Sequence, residues 1–134
     1  MAAALGSSAA SGAPDAARSA LETAGAEVIE TLAGADGRPS WSAVLGDLRD
    51  RGAQNILIEA GGGLAASALR AGVVDQVEWF RAPIMLGADA LPVVGALNLE
   101  SLPGAPRFER ASIREVGSDL WETYVRRDPI EEPH

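Results

Sequence analysis

The chain has no cysteine and no lysine, and its one histidine, His134, is the last of 134 residues. Without cysteine there is no disulfide, no thiolate metal site and no cysteine nucleophile. With histidine confined to the end, a histidine-based triad, a His-ligated zinc and a core proton shuttle are not expected. Without lysine there is no Schiff-base chemistry, and a phosphate loop with its usual Lys is excluded. All 11 cationic side chains are arginine. No apolar run reaches the ~18 residues of a membrane span. The opening MAAALGSSAASGAP lacks the basic start and long apolar stretch of a signal peptide, so a cytoplasmic location and no membrane partner are expected. The net charge of −8 opposes general nucleic-acid binding, which draws its affinity from neutralised phosphates. It does not oppose a phosphate-bearing small molecule, which backbone N–H groups can hold alone.

What is present fits one domain. At this length about two thirds of the unfolded chain's surface can be buried, so a core is possible. Residues 1–17 are small and polar and read as a flexible tail; residues 128–134 read as an acidic tail. Between them the expected elements alternate. A helix over 16–24 ends at Gly25, and a strand follows over 26–32 (AEVIETL). GADGRP reads as a turn. Ser40 is an N-cap for a helix over 41–51, with Trp41, Val44, Leu45 and Leu48 on one face. Residues 55–60 (NILIEA) place Ile56, Leu57 and Ile58 in a row, which predicts a strand covered on both faces, as in a parallel sheet. A helix from about Leu64 closes at Gly72, and a strand around 77–81 bends at Pro83. A long Gly- and Pro-rich segment leads to a hairpin, 108–115 and 120–127. The order is β-α-β-α-β, then a long loop, then β-β: an α/β fold with parallel strands and an antiparallel edge.

The chemistry concentrates between the strand over 55–60 and the helix after it. Gly61, Gly62 and Gly63 let the backbone turn without a Cβ to block a ligand. The helix then starts with N–H groups that have no partner inside it, and these suit a phosphate. The same glycines would also serve merely as a tight connection. Gly61, Gly63 and Ala66 imitate a dinucleotide fingerprint, but no acidic residue stands about 20 residues on, since Asp75 and Glu78 come too early. Glu59 ends the strand where a sheet edge opens to ligands; it would accept hydrogen bonds from ring N–H groups or cap nearby amides. Arg81 would meet a ligand phosphate or pair with Asp75 or Glu78. Trp41, Trp79 and Trp121 read as core, and Asp89 as loop chemistry.

Taken in order, Glu59-Ala60-Gly61, then Leu64-Ala65 with Leu69, then Gly72-Val73-Val74-Asp75-Gln76, Ala82-Pro83 and Leu86-Gly87-Ala88-Asp89, form a long string. That string, with the closing APRFERASIREVGSDLWETYVRR, resembles the reductase domain of bacterial bifunctional riboflavin-biosynthesis deaminase/reductases. The resemblance implies a dihydrofolate-reductase-like mixed sheet flanked by helices. It implies NADPH as cofactor and reduction of the ribosyl group of 5-amino-6-(5-phosphoribosylamino)uracil to the ribityl form. It places Glu59 against substrate. It places Gly61, Gly62, Gly63, Leu64, Ala65, Ala66 and Ser67 against NADPH, with no metal and no assigned catalytic residue. It also implies a homodimer. The match runs over roughly residues 15–127, with 18–127 as the domain itself, and spans only the second half of that reductase domain; the deaminase domain has no counterpart. The chain therefore reads as a fragment that would expose sheet edges and apolar faces. Two alternatives stand beside the reductase reading: a non-catalytic remnant or dimerisation fragment, and an unrelated nucleotide-binding α/β protein.

Overall fold

The computed structural model describes residues 15–31 and 38–127. The tail expected over 1–17 therefore lies outside the described residues, except that Asp15, Ala16 and Ala17 form the first turn of a helix. The turn at 34–39 falls largely outside them, and the acidic tail entirely. The chain divides into two compact units, Met1–Leu57 and Ile58–His134.

The first unit holds α1 (Asp15–Thr23) and α2 (Trp41–Asp50). The predicted N-cap forms: Ala43 N–H donates to Ser40 Oγ at 3.2 Å, satisfying one of the donors a helix start leaves over. Trp41, Val44, Leu45 and Leu48 are all half-buried, as their spacing predicts. Residues 26–30, expected to open a strand, form none, and Thr31 makes only an isolated bridge. Arginines from the flanking helices tether this stretch. Arg51 holds the Glu27 carboxylate with two hydrogen bonds, 2.8 and 3.1 Å, and Arg18 pairs with Glu30. Arg51's hydrogen bond and charge keep the Glu27 carboxyl below its ordinary range.

The second unit holds α3 (Gly62–Arg70), β1 (Gln76–Arg81), a 3₁₀ turn at Leu102–Gly104, β2 (Phe108–Val116) and β3 (Asp119–Arg126). The strands lie in the order β1-β3-β2, and both pairings are antiparallel. The predicted hairpin is β2–β3. Its loop is Gly117-Ser118, and Gly117 sits at φ +65°, the glycine-first arrangement that suits the twist of paired strands. A bulge between Arg110 and Ser112 flips the register of β2. The strand expected over 55–60 is absent, and residues 53–61 have no regular structure. Leu57 is 75% exposed and Ile56 39%. An apolar run of this kind needs neighbours on both faces; Ile58 is half-buried, but no described strand pairs with the run, so the parallel part of the predicted sheet does not assemble.

All three helices end alike. Gly25, Gly52 and Gly72 adopt φ of +86°, +86° and +68°. Each donates back into its helix, as does the residue after it, for example Gly72 N to Leu69 O and Val73 N to Ala68 O. This left-handed glycine cap satisfies carbonyls that the last turn would otherwise leave unpaired.

Among the described residues only Ala66 and Ala68 are fully buried apolar side chains, each 1% exposed. Both lie on α3. Trp41, Trp79 and Trp121 are half-buried, so they pack as expected without forming a sealed core. Among the described residues no helix is long and apolar enough to cross a membrane.

Candidate functional site

The glycine-led start of α3 is the first place to look for chemistry. Gly61 is the N-cap, with extended backbone and no side-chain cap. Leu64 and Ala65 both donate to Gly61 O, at 3.0 and 3.2 Å. The N–H groups of Gly62 and Gly63 have no hydrogen-bond partner among the described residues. They are the orphan donors expected at a helix start, at the positive end of its dipole.

The three glycines divide in role. A Cβ on Gly61 or Gly63 would meet open space. A Cβ on Gly62 would come within 2.5 Å of Pro92 O and 3.0 Å of Gly95 N. Gly95 N donates to Gly62 O at 2.8 Å, and a Cβ on Gly95 would lie 3.1 Å from that same oxygen. Two glycines thus let residues 92–95 close against the first turn of α3. The missing side chain of Gly62 serves the chain's own packing, while Gly61 and Gly63 keep a face open.

The other residues expected here separate by exposure. Glu59 is exposed and its carboxylate makes no ion pair or hydrogen bond among the described residues, so the amide-capping alternative is not realised. Leu64 is 48% exposed, and Ala65 and Ser67 are half-buried. Ala66 points inward at 1% exposed and seats the helix on its core. Along residues 59–64 the chain thus carries an exposed carboxylate at Glu59, open faces at Gly61 and Gly63, the N–H groups of Gly62 and Gly63, and the exposed Leu64. N–H donors at a helix start suit a phosphate, and a free carboxylate suits a ligand's N–H groups.

Arg81 is not near these groups in role. It pairs with neither Asp75 nor Glu78. Its Nε donates to Glu122 Oε2 at 2.8 Å. Glu122 is 3% exposed, accepts from Tyr124 Oη at 3.0 Å, and has Arg110 at 3.9 Å. The register sets this: Glu122 lies opposite Trp79 on the neighbouring strand, so Arg81, two residues on, shares its face. Glu78 is on the opposite face, where it accepts from Trp121 Nε1, from Thr123 Oγ1 at 2.9 Å and from Gln76. Those hydrogen bonds, Trp121's first, hold its carboxyl below the ordinary range. Trp121 in turn stacks on Phe80, centroids 5.4 Å apart, with the Arg114 guanidinium 5.3 Å from its ring.

Sequence reasoning missed two features. The approach of residues 92–95 to Gly62 had only a weak signal, glycine at both 62 and 95, which marks close approach without naming the neighbour. The Arg81–Glu122–Tyr124 group had none, because strand register decides it. Between α3, the sheet and residues 94–106 lies an apolar cavity of about 440 Å³, lined by side chains including Leu69, Trp79, Leu97, Phe108 and Tyr124. Among the described residues no three His, Asp or Glu side chains group to hold a metal.

Comparison with known proteins identifies the frame around this site. The riboflavin biosynthesis protein RibD of Escherichia coli K12 is 42% identical over 66 residues, covering 49% of this chain and 18% of that protein. RibD of Mycobacterium tuberculosis is 34% identical over 84 residues, covering 63% and 24%. The chain thus spans about a fifth to a quarter of the relatives it matches. The solved structure of Acinetobacter baumannii RibD superposes with a TM-score of 0.67 at 22% identity, over 82% of this chain and 29% of that one, a likeness of fold alone. The fold is the dihydrofolate-reductase-like one expected, its α3 and closing hairpin in place. The model of the RibD C-terminal domain matches residues 12–121, most of the chain, and the protein belongs to that family.

Proposed function

We propose that this chain carries the cofactor-side part of a reductase of riboflavin biosynthesis and holds NADPH at the start of α3. The observation that supports this most directly is the split among the glycines: Gly62 is closed against the chain itself, while Gly61 and Gly63 leave open backbone beside two unpaired N–H groups. Such a cradle fits a cofactor phosphate. A helix start supplies only about 0.3–1 kcal/mol when exposed, so it orients the dianion and other contacts supply affinity.

When bound, the cofactor would supply a hydride to C1 of the opened ribosyl group of 5-amino-6-(5-phosphoribosylamino)uracil. The chain's own residues bind and orient. Gly61, Gly63, Leu64 and the N–H groups of Gly62 and Gly63 hold the phosphate. Ala65 and Ser67 border that site, and Ala66 fixes the helix beneath it. Glu59, free and exposed, accepts hydrogen bonds from substrate N–H groups. Orientation of this kind lowers a barrier by holding the reacting carbons in line.

The experiment is a fluorescence titration of the chain with NADPH and NADH, comparing wild type with Gly63→Val. A Cβ at 63 meets open space, so the variant keeps its fold and loses the preference for NADPH. Unchanged NADPH affinity in a folded Gly63→Val would overturn the site. Turnover by the chain alone is not expected, since only two alanines are fully buried among the described apolar residues and an active site needs a firmer frame.

A further inference from the structure

We infer that the cavity between α3, the sheet and residues 94–106 is a second small-molecule site, which takes a planar aromatic carboxylate or sulfonate. The ring enters the cavity and the anionic group meets Arg81 and Arg110 at its border. The inference does not depend on the cofactor reading.

The cavity is walled by elements that the chain itself holds in place. Val77 and Trp79 of β1, Tyr124 of β3 and Phe108 of β2 share one face of the sheet and form its floor, with Leu69 of α3 and Leu97 as walls. Two hydrogen bonds pin the segment around Leu97 to α3: Gly95 N to Gly62 O at 2.8 Å, and Arg70 Nη1 to Ala96 O at 2.6 Å. Its volume, about 440 Å³, lies within the roughly 300–1,000 Å³ of small-ligand sites. These six lining side chains are all half-buried, so the space opens to solvent.

The same sheet face sets cations beside that floor. Arg81 stands two residues beyond Trp79, and Arg110 lies directly opposite Tyr124. Both guanidiniums turn to Glu122, Arg81 at 2.8 Å and Arg110 at 3.9 Å, and Tyr124 Oη donates to the same carboxylate at 3.0 Å. Glu122 is 3% exposed, whereas the two arginine side chains are 53% and 58% exposed. Two cations thus share one buried anion. The group keeps one positive charge in excess, on a chain whose net charge is −8, and its remaining N–H donors reach solvent. Aromatic walls suit a flat ring, and guanidinium donors suit a carboxylate or sulfonate. A neutral apolar molecule would use the cavity alone.

The test titrates the full 134-residue chain with anilinonaphthalene sulfonate, followed by fluorescence, and with its neutral counterpart phenylnaphthylamine. Saturable one-to-one binding is expected, with the sulfonate held more tightly than the neutral compound. Arg110→Gln leaves the closer Arg81–Glu122 pair intact. It should weaken the sulfonate about fivefold and leave the neutral compound unchanged. Leu97→Trp fills the cavity and should abolish binding of both, with amide exchange of β2–β3 unchanged. In amide and indole spectra the sulfonate should shift the Trp79 indole signal and leave the Gly63 amide in place. Absence of saturable binding by the wild-type chain would overturn the proposal, as would uptake at many sites, the behaviour of a loosely packed chain. So would equal sulfonate affinity in Arg110→Gln, tighter binding of the neutral compound, or a shift at Gly63 in place of Trp79.

Discussion

The sheet β1-β3-β2 and the segment 53–61 are both rich in apolar and β-branched residues, yet one is built and the other is not. The sheet's central pair is a hairpin. A two-residue loop starting at Gly117 brings β2 and β3 together, and their register follows from that loop. β1 then adds to β3 along six residues without a slip. β2 and β3 meet through their own loop, and β1 reaches β3 across 41 residues at Arg81–Glu122 and 43 at Glu78–Trp121, all within the second unit. Residues 55–60 hold three consecutive apolar side chains, Ile56 to Ile58, yet make no strand pairing among the described residues. A hairpin needs only the chain on either side of its turn, whereas a strand covered on both faces needs neighbours on each side.

Hydrogen exchange tests that contrast most severely. Amides of β3 should be protected about a thousandfold more than those of residues 54–60 in the isolated chain. Equal protection would mean the segment is already paired. Next comes a comparison within the glycine triplet. Gly62→Val should cost about 3 kcal/mol in urea unfolding, because its side chain would meet backbone of residues 92–95. Gly63→Val should stay within about 0.5 kcal/mol of wild type, since valine is no worse than glycine in a helix and the space is open. If the two behaved alike, the assignment of one glycine to packing and another to the site would fail.

Within the sheet, Arg81→Leu removes the closest partner of a carboxylate that is 3% exposed. Breaking a fully buried pair costs about 3–5 kcal/mol, and the half-exposed Arg81, with Arg110 remaining, reduces this to about 2. Adding Glu122→Leu should recover most of the loss, measured as a double-mutant cycle. Smaller still, Ser40→Ala should cost about 1 kcal/mol through the lost N-cap of α2, seen as a lower thermal midpoint.

The last prediction concerns acid. Glu78 titrates below its ordinary 4.5 in the folded chain, held first by Trp121 and then Thr123. A depressed carboxyl contributes stability that is complete above 4.5 and disappears as pH falls through the folded value. Trp121→Phe should therefore lower stability at neutral pH by an amount that shrinks as pH falls below about 4.5, so the variant's unfolding midpoint depends less on pH in the acid range.

Capping chemistry and side-chain period made much of this protein readable from its residues. Ser40, the closing glycines of the three helices, the face of α2 and the glycine at the hairpin turn act over four or five residues, so the local chain decides them. The glycine triplet, Glu59 and the ordered string around them pointed to the family for the same reason: a strand-to-helix connection is written contiguously. Which glycine faces the chain and which faces outward was decided by residues 92–95, some 30 positions away. Arg81 found Glu122 and Glu78 found Trp121 because strand register, a property of paired backbones, assigns faces across 41 and 43 residues. The parallel strands were legible as composition but not as structure, since their stability resides in neighbours and not in their own side chains.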